Sequence, residues 1–302
     1  MQQYVDKLFD RLLSPAVRDR SERMILTVAI ISYLLHLLLI LFARLQVHPL
    51  DNIFLINPVA AVYTPFSFIL VYEVYLLIYF LPQSISSYIG KQYEIITLIV
   101  IRRIFKDIAN LELSTDWFRD SGDLQFTYDV VTSVILFAMI LLYHRVSKRS
   151  NVKIDRTADE EQSIRRFIQL KKGLAVLLVP LLVLLAVYSF MMWAKTTLAS
   201  HKLALSGLKS LNNIFFDEFF TVLIVVDVLL LLASLYHSDR FHEIMRNSGF
   251  VISTILIKIS FSVSGLVNNA LIVGAVVFGF LILLIHNQFV RQTGQRELKQ
   301  EL

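Results

Sequence analysis

The stretch "ITLIVIRRIFKDI", residues 96–108, sets Arg102, Arg103 and Lys106 inside a run that otherwise reads as a membrane span. Its reading decides the fold. If the run lies in lipid, its cations need partners inside the protein. If it does not, the chain loses a crossing and its topology changes.

The surrounding composition favours lipid. The 302 residues are 56% hydrophobic, with a mean hydropathy of +0.64; a soluble domain averages about 45–50% apolar residues. Apolar runs near the ~18-residue length that marks a transmembrane helix recur along the whole chain. The longest polar stretch, 144–172, is too short for a soluble domain and suits a linker. The expected fold is therefore all-α, a polytopic bundle of about eight spans: 24–45, 58–81, 86–106, 126–145, 173–194, 219–236, 249–266 and 270–290. Gly90, Lys91, Gln92 and Glu94 dilute the third span, and the seventh is short and rich in serine. A six-span alternative makes these two re-entrant or interfacial.

Basic residues orient such a bundle. With the N-terminus inside, 20 of the 29 Lys and Arg fall in inner segments and five in outer ones. Both termini are then expected in the cytoplasm, in a plasma or bacterial inner membrane. The outer loop 107–125, with five acids and one Arg, agrees. The first 23 residues carry both signs of charge, which argues against a cleavable signal peptide. Two short segments look interfacial. Val5, Leu8, Phe9 and Leu12 share one face of a helix broken at Pro15, and Ile164, Phe167 and Ile168 do the same before Lys171 and Lys172. Each fits a helix flat on the inner leaflet, near anionic lipid.

The two halves resemble each other. "FILVYEVYLLIYFL" (68–81) aligns with "VLIVVDVLLLLASL" (222–235), placing Glu73 on Asp227. "IVIRRIF" (99–105) aligns with "ILIKISF" (255–261), placing Arg102 on Lys258. Apolar strings match cheaply, whereas two charged positions in register do not. The expected organisation is an interfacial helix (1–23), a four-span repeat (24–146), a basic linker with a short amphipathic helix (147–172), a second four-span repeat (173–290) and a tail (291–302). An even number of spans per repeat inserts both halves the same way up, a parallel repeat.

An ionised side chain at the bilayer centre costs about 2.5–3.5 kcal/mol on insertion scales, so such residues face protein or water. Glu73, Glu94, Arg102, Asp227 and Lys258 are the candidates for an ion pathway or gate. Asp227 and Lys258 suggest an ion pair at similar depth. Glu73 and Glu94, on the same side of the midplane, could together hold a proton or a cation. Tyr72, Tyr75 and Tyr79 stand close enough in sequence to Glu73 to donate to it. Arg103 and Lys106 read as interfacial anchors reaching the outer headgroups, while Arg102 lies deeper and calls for an acid on another helix. His36 reads as a packing residue of the first span. Pro65 and Pro180 suggest kinks, and Pro58 a first-turn proline.

Other chemistries are excluded or unsupported. There are no cysteines, so no disulfide or thiolate site. No phosphate-binding, nucleotide-binding or hydrolase motif occurs, and no pair of His has metal-ligand spacing. No cofactor or enzymatic activity is expected, and the net charge of +5 arises from inner loops and not from a nucleic-acid site. The remaining classes are a small ion channel or secondary transporter for a small ion or protons, and a non-transporting membrane scaffold. A homo-oligomer is expected, because eight helices rarely enclose a wide pore alone.

Overall fold

The computed structural model describes residues 2–44, 61–108, 121–148, 158–199, 206–237 and 241–300. Pro58, most of the outer loop and the side chain of Lys106 lie outside the described residues. Among those described, all regular structure is helical: α1 (Gln2–Leu13), α2 (Pro15–Arg44), α3 (Tyr63–Phe80), α4 (Ile85–Ile108), α5 (Ser121–Lys148), α6 (Ala158–Ala199), α7 (Ser206–His237), α8 (Phe241–Ser260) and α9 (Gly265–Gln300). Five stretches are long and apolar enough to cross a membrane: Gln3–Phe42, Gly122–Lys148, Gln162–Tyr188, Glu218–Tyr236 and Gly265–Gln292. Helices dominate because only a helix satisfies every backbone donor and acceptor within its own segment where water is absent. The described residues make up an all-helical membrane protein.

Five of the eight expected spans correspond to these stretches. Expected spans two, three and seven correspond to α3, α4 and α8. The apolar part of α3, Thr64–Phe80, is shorter than the others. Helices α4 and α8 carry several charged residues each. Near the start of α4, Tyr143 of α5 donates to the Ser86 carbonyl at 2.9 Å; toward its other end, Arg103 donates to Asn269 of α9 at 2.9 Å.

Local chemistry sets the turns. Ser84 caps α4 by accepting the Ser87 amide at 3.2 Å. Between α8 and α9 the chain reverses over four residues, and Gly265, with φ +69°, supplies a conformation that a side chain would resist. Asn268 closes this turn by donating its side-chain amide to the Ser260 carbonyl, one of the C-terminal carbonyls that α8 leaves unpaired.

Several boundaries differ from the expectation. Pro15 does not end an amphipathic helix so much as begin the next one. Ser14 accepts the Val17 amide at 3.3 Å, Pro15 takes the first helical position, and α2 then runs for 30 residues into the first span. We expect Ser14→Ala to lower stability by about 1 kcal/mol, as loss of an N-cap does, measured by thermal unfolding in detergent. The linker helix is not separate either: α6 is continuous over 42 residues, with Pro180 inside it. Pro65 lies in the first turn of α3, where its missing N–H would have no partner, so it breaks no helical bond. Helix α8 starts at Phe241 and stops at Ser260, well before the expected 249–266.

The helices form a chain of neighbours, α2 on α3, α3 on α4 and α4 on α5; the second half repeats it as α6 on α7, α7 on α8 and α8 on α9. Helices α5 and α9 join the two, while α1 lies on α6 and α3 on α6. The core is apolar, built on residues such as Leu77, Val100, Phe220 and Phe250. The outward faces remain apolar too, as at Leu34, Leu35, Val134, Leu177 and Leu184. Exposed aliphatic side chains on this scale suit hydrocarbon. His36 is buried and bonds Thr64 of α3 at 2.5 Å, a packing role.

Candidate functional site

Polar side chains on α4, α6, α7 and α8 meet around Asp227, which is only 5% exposed in a strongly apolar helix. Gln92 of α4 donates its Nε2 to Asp227 Oδ2 at 3.2 Å. The other end of the same amide, Oε1, accepts the Thr254 hydroxyl of α8 at 2.9 Å. One residue further along α4, Tyr93 bonds Ser253 at 2.8 Å, and Ser253 donates to the Ala275 carbonyl of α9 at 2.7 Å. The serine has a single proton, so Tyr93 must be the donor in the first bond. A polar ladder thus ties α7, α4, α8 and α9 together through the core.

A cleft opens beside this ladder. Its wall sets Tyr88, Lys171, Asp227 and Asn247 among hydrocarbon side chains such as Ile89 and Phe250, and its volume is about 30 Å³, enough for a water molecule. Lys171 is 3% exposed and donates to the Gln83 carbonyl at 2.7 Å, just beyond the C-terminus of α3. The Phe167 ring lies 5.1 Å from its ammonium. Lys171 is the cation whose charge acts on Asp227. The Tyr88 hydroxyl, also buried, faces the same carboxylate and the Gln92 amide. Asn247 is fully engaged. It donates to Ser234 at 2.6 Å and accepts from Arg246 at 3.1 Å, while Arg246 also reaches His286 at 3.1 Å.

The structure rearranges the sequence-derived set. Gln92 and Lys171 act on Asp227. Lys258 falls in the last turn of α8, and Thr254, one turn earlier, is level with Asp227. Glu73 is buried on α3, and Arg102, itself 7% exposed, is the charged group acting on it, rather than Glu94. Glu94 instead bonds Lys91 and lies 2.8 Å from His144 of α5. Tyr72 and Tyr75 turn to Glu22 at 2.9 Å and the Leu12 carbonyl at 3.2 Å.

Arg103, expected among the headgroups, is held between helices. It pairs with Asp129 of α5 at 3.1 Å and donates to Asn268 and Asn269 of α9. Asp129 also accepts from Gln125 at 2.8 Å and Asn269 at 2.7 Å. A cation of the 96–108 stretch is therefore bound by an acid on another helix. That acid was not among the candidates, because it falls near the outer end of its span; the signal was Gln125 four residues before it, on the same face. Tyr88, Gln92 and Lys171 were also missed. Gln92 counted only as dilution of a span, and Lys171 as part of a linker.

No family model, curated protein or solved structure matches the chain.

Proposed function

We propose that this chain is an integral membrane ion channel or secondary transporter for a small ion or protons, with Asp227 as the carboxylate that binds the moving charge. The observation that carries the reading is the cleft itself. A water-sized space reaches an acidic side chain buried in an apolar helix, and such a residue is costly to keep without a task. Tandem four-helix halves, α2–α5 and α6–α9, fit the recurring order of neighbours and the register of Glu73 with Asp227. On this reading α3, α4 and α8 also cross, shielded by the more apolar helices, and both termini face the cytoplasm. Glu73, Arg102, Glu94 and Lys258 then modulate the path.

The test is flux into proteoliposomes. We expect the wild-type protein to pass protons or alkali cations and Asp227→Asn to lower that flux at least about tenfold, a change of about 1.4 kcal/mol in barrier. Equal flux in the two proteins would end Asp227's role. One feature favours the scaffold reading instead: the Gln92–Thr254 and Tyr93–Ser253 bonds are mutual and lie in the packed core. A scaffold would show no flux above empty vesicles, with Asp227→Asn altering only thermal stability.

A further inference from the structure

We propose that Arg103, Asp129, Asn268 and Asn269 form a reversible latch that shuts the outer end of the transport path, while the Asp227 cleft stands toward the inner end. The inference rests on the transport reading and adds its outer gate.

The latch lies on the seam between the two proposed halves. Arg103 of α4 and Asp129 of α5 belong to the first, Asn268 and Asn269 of α9 to the second. One guanidinium spans them. It pairs with Asp129 at 3.1 Å, donates to Asn269 at 2.9 Å and donates to Asn268 as well. Asn269 completes the ring by donating to Asp129 at 2.7 Å. Asn268 also holds the Ser260 carbonyl, which draws in the end of α8. Asp129, Asn268 and Asn269 are all buried, so the seam is closed to water at this level.

The other end of the bundle is built differently. Ile85, Tyr88 and Ile89, from the first turns of α4, line the cleft. The halves are joined there by single bonds to neutral acceptors: Asn287 of α9 to the Val146 carbonyl of α5 at 3.1 Å, and Lys171 of α6 to the Gln83 carbonyl at 2.7 Å. Gln92 and Arg103 are eleven residues apart on α4, about 16 Å along its axis. Between them Tyr93, Ile96 and Val100 are packed in the core. A space beside the acid at one end and a closed polar seam at the other is the one-sided arrangement that alternating access uses.

The chemistry of the latch suits a seam that opens. Replacing a buried ion pair by apolar side chains often leaves stability unchanged, so holding these helices together does not by itself require charges. Opening separates the two cases. Once parted, Arg103, Asp129 and the asparagines are hydrated, and water replaces the bonds they lose. Parted apolar side chains gain no such return. A charged latch holds when dry and releases when wet; an apolar one stays shut.

The chain has no cysteine, so Val251→Cys places a single thiol in the cleft wall. In proteoliposomes of one orientation, a membrane-impermeant maleimide should label it at least about tenfold faster from the side of the termini than from the opposite side. Adding Asp129→Asn, which keeps the size and removes the charge attraction, should raise opposite-side labelling about tenfold. Should that variant fail to fold, Asn269→Ala, which removes a partner on α9 alone, takes its place. Arg103→Met with Asp129→Leu should keep wild-type stability yet lower proton or alkali-cation flux at least about tenfold. A merely structural role predicts that flux follows stability. Equal labelling from both sides in the otherwise wild-type protein overturns the latch, as does opposite-side labelling that neither Asp129→Asn nor Asn269→Ala raises. Flux that requires Asp227 yet runs at full rate in the Arg103→Met, Asp129→Leu protein leaves the transport reading standing and overturns this inference. Absence of flux in the wild type ends the transport reading, and the labelling then decides the latch alone.

Discussion

Gly279→Ala is expected to destabilise the protein more than any other single methyl addition considered. A Cβ at this position of α9 would overlap the Tyr93 hydroxyl and stand 3.2 Å from Ser253 Oγ. Tyr93 is fully buried, so its ring has no open direction into which to retreat. It must either push α9 away or abandon Ser253. Overpacking costs about 1–3 kcal/mol and a lost buried hydrogen bond about 1 more, so a loss of about 2–4 kcal/mol is expected. Titration from mild detergent into SDS would measure it. The companion variant Tyr93→Phe removes the clashing oxygen, and Ser253 keeps its bond to the Ala275 carbonyl. The double variant Gly279→Ala with Tyr93→Phe should therefore recover at least half the loss. Strict additivity of the two effects would show that the groups do not meet.

The second large effect concerns the cations of α4. Removing the acid by Asp129→Ala strands Arg103 at a helix junction where its guanidinium is only 26% exposed. Breaking a buried pair from one side costs about 3–5 kcal/mol; the partial exposure of Arg103 places the expectation near the lower figure, about 3 kcal/mol. Removing both charges is different. Arg103→Met with Asp129→Leu deletes the desolvation cost along with the attraction, and should return stability to within about 1 kcal/mol of wild type. The same denaturant titration separates the outcomes. A single variant as stable as wild type would mean that Arg103 has moved to headgroups and that the pair contributes nothing.

These two sites illustrate how unevenly the molecule can be read from its residues. The Arg103 site was half legible. Three cations in an apolar run demanded an acid elsewhere in the bundle, and one is there. Which acid it was could not be read, because Asp129 sits on a helix whose rotation about its axis leaves no trace in hydropathy. The Gly279 contact was not legible at all, since one of several glycines in an apolar helix carries no sign of the tyrosine that fills its missing side chain.

The same division holds for the candidate site. Asp227 was identified by the cost of a carboxylate among leucines and valines, a property of its own neighbours in sequence. Its partners were not, since α8 begins eight residues earlier than the apolar pattern implied. Each residue of displacement turns a side chain by about 100° and moves it by about 1.5 Å along the axis. That shift brought Thr254 level with Asp227, while the unbroken course of α6 delivered Lys171 from what had looked like a linker. Composition and apolar run length by themselves determined that this chain is helical and built for lipid, because those depend on backbone hydrogen bonds and hydration summed locally. Tertiary packing alone decided which polar groups meet, because that depends on the start, rotation and contact of helices far apart in sequence.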